Sequence, residues 1–167
     1  KFASALEFRF KTSGLPINNI PYSQSIVNHS TNAFNIVLEY TGSGYTSSSL
    51  YSGSIKNPYY QYATLKFISG SASASVYLPF YDSGWWSILV NASTGSTTTY
   101  ELFAKNTIYS GSDGSIIAYQ ASSSITSSNH WNTSGQLYFG TGSVFGGKTY
   151  NPFSGSYQRS EEHTSEL

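Results

Sequence analysis

Apolar and polar residues alternate at period two in short runs along this chain, and turn-forming residues close each run. That pattern predicts an antiparallel β-sandwich or barrel rather than helices. Residues 5–11 put Leu6, Phe8 and Phe10 on one face and Glu7, Arg9 and Lys11 on the other. Residues 34–40 repeat it with Phe34, Ile36, Leu38 and Tyr40 inward. Strands are predicted also over 63–69, over 72–78, where Ala74, Val76 and Leu78 alternate with serines and Tyr77, and over 85–91. In the last of these Trp86, Ile88 and Val90 share a face, so Trp85 must point the opposite way. Further strands fall at 98–104, 115–120 and 135–140, and a final one begins near Phe153. Weaker candidates are 24–27 and 53–55.

The separators Gly42-Ser43-Gly44, Asp82-Ser83-Gly84, the segment 91–95 and Ser112-Asp113-Gly114 carry turn chemistry. All five prolines lie outside the strands or at their ends, as the missing ladder donor requires. Residues 45–62 are the most irregular stretch, read as a long loop or a pair of weak edge strands, and Gly140-x-Gly142-x-x-x-Gly146 is read as a flexible loop.

Composition agrees with an all-β chain. Charged residues are 10% of the 167, against roughly 25% in an ordinary globular protein, and Ser and Thr carry the polar surface instead. Glu, Lys, Gln and Arg, which normally face helices toward water, are scarce. Tyr (15) and Phe (10) supply much of the apolar bulk, without any Met. The formal net charge is zero and the basic residues are scattered singly, so no nucleic-acid partner is expected. Zero cysteines exclude a disulfide scaffold and thiolate zinc. No apolar run approaches the roughly 18 residues of a membrane-spanning helix, so membrane insertion is not expected.

The segment 159–167, Arg-Ser-Glu-Glu-His-Thr-Ser-Glu-Leu, holds three of the eight acids and resembles the frame translation of a short-read sequencing adapter. It is set apart as a non-native tail. Residues 1–158 are then expected to form a single domain cut from a longer polypeptide.

Four segments carry a family resemblance. Ala5-Leu6-Glu7-Phe8-Arg9-Phe10-Lys11-Thr12 and Phe34-Asn35-Ile36-Val37-Leu38 are similar to the opening core strands of the laminin-G/concanavalin A-like lectin and glucanase superfamily. Asp82-Ser83-Gly84-Trp85-Trp86 resembles its Asp-Gly-x-Trp-His turn and strand, with Trp86 in the usual His position and one residue inserted. Phe153-Ser154-Gly155-Ser156-Tyr157 resembles the closing strand, which in that family returns beside the first. The resemblance spans roughly residues 5 to 158 and implies a two-sheet jelly roll. It also implies a domain of an extracellular, cell-surface or virion-surface protein.

The resemblance raises three chemistries. Glucanases of this superfamily carry paired carboxylates on one strand, and retaining hydrolysis needs them about 5–5.5 Å apart. Here Glu7, Glu39, Asp82, Glu101 and Asp113 all stand more than four residues from one another. Glu7, Glu39 and Glu101 read as solvated, outward-facing strand positions, so no catalytic site is expected. Many laminin-G domains bind a rim calcium, which needs six to eight oxygens. Asp82 and Asp113 are the candidate ligands, with Asn129 and Asn132 as further loop oxygens, but both aspartates equally suit capping of their own turns. No other cofactor is implied.

Carbohydrate recognition combines aromatic faces with amide and hydroxyl hydrogen bonds. Tyr59, Tyr60 and Tyr62 beside Asn57 are one candidate set, and Trp131 beside Asn129 and Asn132 another. Trp131 either packs over the sandwich edge or offers a stacking platform. His29 and His130 sit in polar segments with no zinc spacing. Sequons at Asn28, Asn91 and Asn132 matter only in a glycosylating host. The expected function is therefore a non-catalytic module that binds a glycan or a surface protein. The alternatives are a purely structural fibre or capsid decoration and a glycoside hydrolase. Ligand identity and oligomeric state are not encoded in any motif.

Overall fold

The computed structural model describes residues 4–16, 21–42, 59–109, 116–131 and 134–158. Among them are twelve strands and no helix: β1 (Ala5–Thr12), β2 (Tyr22–His29), β3 (Asn35–Tyr40), β4 (Ala63–Ser69), β5 (Ala72–Leu78), β6 (Trp86–Thr94), β7 (Thr98–Tyr109), β8 (Ile116–Ser127), β9 (Leu137–Phe139), β10 (Ser143–Phe145), β11 (Lys148–Pro152) and β12 (Gly155–Gln158). They form a jelly-roll-like sandwich. One sheet has the order β12-β1-β6-β7-β8, the other β10-β11-β2-β3-β4-β5, with β9 also pairing β2. Pairing is antiparallel apart from β11, whose Asn151 and Pro152 run parallel to Gln24 and Ser25.

The alternation read from the sequence is what fills the space between the sheets. Phe8 and Phe10 on β1, Trp86, Ile88 and Val90 on β6, and Tyr100 and Leu102 on β7 are buried from one side. Ile36, Leu38 and Tyr40 on β3 and Leu65 and Phe67 on β4 meet them from the other. Aromatic rings carry much of this contact, with Phe80 and Trp86 centroids 4.5 Å apart and Phe67 and Tyr100 4.8 Å apart. Burying rings of this size is worth several kcal/mol each, which compensates for a core without Met. The β5 and β8 edges approach each other, where the Ser75 amide donates to Ser123 Oγ at 3.3 Å. Gly70, at φ +61°, opens the two-residue turn between β4 and β5, where a side chain would be strained.

Several expectations are corrected. The segment 91–95 is not a turn: β6 continues to Thr94 and the reversal falls at 95–97. β7 and β8 extend well past 104 and 120, in register from Thr98↔Ser127 to Tyr109↔Ile116. The strand expected at 135–140 shrinks to β9, and the last strand starts at Gly155 rather than Phe153. The stretch from Gly140 to Gly146, read as a flexible loop, holds β10 and leads into the β10–β11 hairpin turn at Gly146 and Gly147, both at positive φ.

That hairpin also changes the outer face of the larger sheet. Phe145 and Tyr150 bury against Val37 and Ile68, making a second small core outside the sandwich. Glu39, expected to be solvated, is covered there instead, ion-paired to Lys66 at 2.5 Å and Lys148 at 2.6 Å. Glu7 and Glu101 are exposed on outward positions as expected. The weak candidate at 53–55 and the tail at 159–167 lie outside the described residues.

Candidate functional site

Two surface features stand at one end of the sandwich, the end where β4 begins and β5 finishes. The first is built from a turn and a strand. Residues 59–61 form a turn leading into β4, held by the Tyr62 amide donating to the Tyr59 carbonyl at 3.0 Å. The Tyr81 amide donates to the Gln61 carbonyl at 3.1 Å and fixes the turn against the segment after β5. Tyr62 packs edge-on to Tyr59, centroids 5.0 Å apart, and tilts against Tyr77 of β5 at 5.1 Å. Tyr59 is 53% exposed and Tyr77 46%. Burial, and then the neighbouring hydroxyls of Tyr119, Tyr59 and Tyr77, push the Tyr62 phenol above its ordinary value. Three rings thus make a continuous aromatic ledge.

The sequence-derived candidates divide across the fold. Tyr59 and Tyr62 belong to the ledge. Tyr60 is half-buried and its carbonyl accepts from the Tyr40 hydroxyl at 2.8 Å, so it anchors the turn. Asn129 and Trp131 lie at the opposite end of β4, a strand of seven residues, about 20 Å away at the usual rise. The two sets therefore do not form one site.

Trp131 packs against Tyr100, Phe34 and Phe67, with centroids at 5.6, 5.7 and 6.3 Å. Its amide donates to the Tyr100 hydroxyl at 2.9 Å, which in turn donates to the Asn129 carbonyl at 2.8 Å. This loop closes the end of the core. His130 Nδ1 meets Thr98 Oγ1 in the same loop. His29 is buried, not on a polar surface, with Nδ1 2.9 Å from Thr31 Oγ1.

Asp82 spends its carboxylate on structure. Oδ1 accepts from the Gly84 amide at 2.8 Å and from Trp86 Nε1 at 3.1 Å, and Oδ2 accepts from Asn106 Nδ2 at 2.7 Å. The turn cap thereby also satisfies a fully buried indole. Among the described residues no group of three or more His, Cys, Asp or Glu side chains could hold a metal. Asn57, Asp113 and Asn132 lie outside the described residues.

The second feature is a cleft of about 510 Å³ on the outer face of the five-stranded sheet. Arg9 of β1, Ser87 of β6 and Lys105 of β7 occupy one cross-strand row, as their registers show. Gly84, Trp85, Asn106 and Thr107 complete the lining. Trp85 is half-buried with the Arg9 guanidinium 6.0 Å from its ring centre, while Trp86 is fully inside.

Sequence reasoning did not single out Tyr77, Arg9 or Lys105 as site residues. The available signal was a lone aromatic on a face of serines at 72–78, and cations at outward strand positions that only the register brings side by side. Comparison with protein-family models, curated proteins and solved structures finds no match to this chain.

Proposed function

We propose that this chain is a non-catalytic carbohydrate-recognition module of the laminin-G/concanavalin A-like kind, within a larger extracellular, cell-surface or virion-surface protein. The observation that carries the reading is the ledge of Tyr59, Tyr62 and Tyr77, because packed tyrosine rings with two of the three exposed suit the mixed apolar and polar faces of a sugar. The fold assignment is supported by the two-sheet sandwich and by β12 returning beside β1, as that family's closing strand does.

Binding is favoured over hydrolysis by the carboxylates. Glu39 is held by two lysines and Asp82 by three donors. Glu7 and Glu101 sit two strands and two residues of register apart, about 12 Å between Cα atoms at normal sheet spacings. Neither is cross-strand paired with another carboxylate among the described residues.

A glycan array probed with the whole chain tests the reading. The expected result is capture by a defined set of saccharides, lost at least tenfold in Tyr77→Ser and Tyr59→Ser with the melting temperature unchanged. Absence of binding across diverse sugars would favour a purely structural fibre or capsid domain.

A further inference from the structure

We propose that the cleft between Arg9, Trp85 and Lys105 is a second ligand site, selective for an acidic saccharide unit that bears a carboxylate or sulfate. It lies on a different surface from the tyrosine ledge and stands or falls separately from it.

The charge distribution comes first. The outer face of the five-stranded sheet is polarised along its strands. Glu7 and Glu101 occupy one half, and Arg9, Lys11 and Lys105 the other. Neither of the salt bridges among the described residues involves these three cations. The cleft lining contains two cations and no carboxylate. The Asp82 carboxylate, next to cleft-lining Gly84, is already engaged by Gly84, Trp86 and Asn106. An anion entering here meets positive charge on both sides.

Geometry narrows the class of anion. Arg9 and Lys105 flank Ser87 on neighbouring strands, so their Cα atoms lie about 10 Å apart, and long side chains can converge on one oxyanion between them. Arg9 gives one hydrogen bond, from Nη1 to Gln158 Oε1 at 2.7 Å, which orients the guanidinium and leaves further donors for a ligand. Trp85 supplies a wall for the apolar face of a pyranose, and Ser87 and Thr107 supply hydroxyl groups for ring hydroxyls. The volume falls within the range of small-molecule sites and suits one or two sugar rings. A bare inorganic anion would leave the indole wall and the hydroxyl groups unused, which is why a sugar is the better occupant.

The test titrates the whole chain, by calorimetry and tryptophan fluorescence, with glucuronic acid, with a sulfated hexosamine–uronate disaccharide, with neutral cellobiose and with a hexaglutamate peptide. Acidic saccharides are expected to bind while cellobiose at the same concentration leaves this site unoccupied. Response to only one of the two acidic sugars still supports the site. Lys105→Gln and Arg9→Gln should each weaken binding about tenfold, the value of one charge-assisted hydrogen bond. Lys105 is exposed, so its variant reports on the cleft without touching the core. Tyr77→Ser should leave this affinity unchanged, which separates the site from the ledge. No binding of either acidic sugar at millimolar concentration, or binding indifferent to both charge substitutions, would overturn the proposal. Hexaglutamate binding as tightly and with the same sensitivity would overturn the saccharide assignment in favour of an acidic peptide.

Discussion

Lys148 Nζ donates to Glu39 Oε1 at 2.6 Å, joining a short hairpin to a central strand 109 residues earlier in the chain. With Lys66 on the other oxygen, Glu39 becomes the pin that holds β10–β11 over the outer face of β3 and β4. Burial alone would raise its carboxyl, but the hydrogen bonds and charges of Lys148 and Lys66 outweigh that and bring it below its ordinary value. A carboxyl lowered in the folded state stabilises fully above its unfolded value of 4.5 and loses that contribution as pH falls through the lower folded value. Glu39→Gln should therefore cost about 1–2 kcal/mol at neutral pH, between the values of exposed and buried ion pairs. Urea melts should show the gap from wild type shrinking below about pH 4. A gap constant down to pH 2 would remove the ion pairs from the account.

Asp82 offers a sharper test of the turn that shapes the cleft. Replacing it by Ala removes the acceptor for Trp86 Nε1 and for Asn106 Nδ2, both on buried side chains. Stranded buried donors cost about 1–3 kcal/mol each, so Asp82→Ala should lose about 2–4 kcal/mol by chemical denaturation. Calcium should not restore that loss, because the lost partners are donors within the protein. A gain of stability with millimolar calcium in the wild type, and none in the variant, would give Asp82 a metal role instead.

How far these features could be seen in the sequence depends on whether a strand has one wet face. β1, β4 and β5 alternate cleanly, and their limits follow from Phe8 and Phe10, Leu65 and Phe67, and Ala74 and Val76 to within a residue. β2 does not alternate, because it is covered on both faces. Gln24, Ser25, Ile26 and Val27 are all buried, and a bulge between Ser25 and Val27 breaks the period. The second half of β8 resembles loop composition, because Ser122, Ser123, Ser124 and Ser127 fill both of its faces. The β10–β11 hairpin was hidden by Gly140, Gly142, Gly146 and Gly147, and only Phe145 and Tyr150 hinted at a second core. For the ledge, Tyr59 and Tyr62 were legible as local aromatics, but Tyr77 joins them through tertiary contact. Arg9 and Lys105 are 96 positions apart, so their pairing exists only in the sheet register.

Two phenols should govern the alkaline limit. Tyr81 is buried with its hydroxyl accepting from Gln24 Nε2 at 2.8 Å, and Tyr157 donates to the Ile26 carbonyl at 2.8 Å. Burial is the leading cause that raises both well above 10.0, only partly offset by the Gln24 side chain at Tyr81 and by the Gly140 backbone at Tyr157. Acids raised in the folded state bind protons more tightly there, so their contribution is complete below pH 10 and fades as pH climbs through the folded values. Absorbance titration should show Tyr81 and Tyr157 ionising only together with loss of the β-sheet signal. Smooth titration of all 15 tyrosines with the fold intact would contradict the buried placement.

Trp131 separates packing from recognition at the opposite end of the molecule. A stacking platform can be removed with loss of ligand and little loss of stability, whereas a core plug behaves the other way round. Its ring lies against Tyr100, Phe34 and Phe67, and its amide closes a loop through the Tyr100 hydroxyl. Truncation would expose Phe34 and Phe67 to a cavity, and a half-buried Trp to Ala change of this kind costs about 2–3 kcal/mol, below the 3–5 of a fully buried ring. Trp131→Ala should accordingly lower the unfolding midpoint while leaving saccharide affinity at the ledge unchanged in the folded fraction. Trp131→Phe, which keeps an aromatic against Tyr100, should recover more than half of the lost stability. Lost affinity with an unshifted midpoint would transfer the binding role to this end of the sandwich, because only a ring facing ligand rather than core can be deleted without loosening the fold.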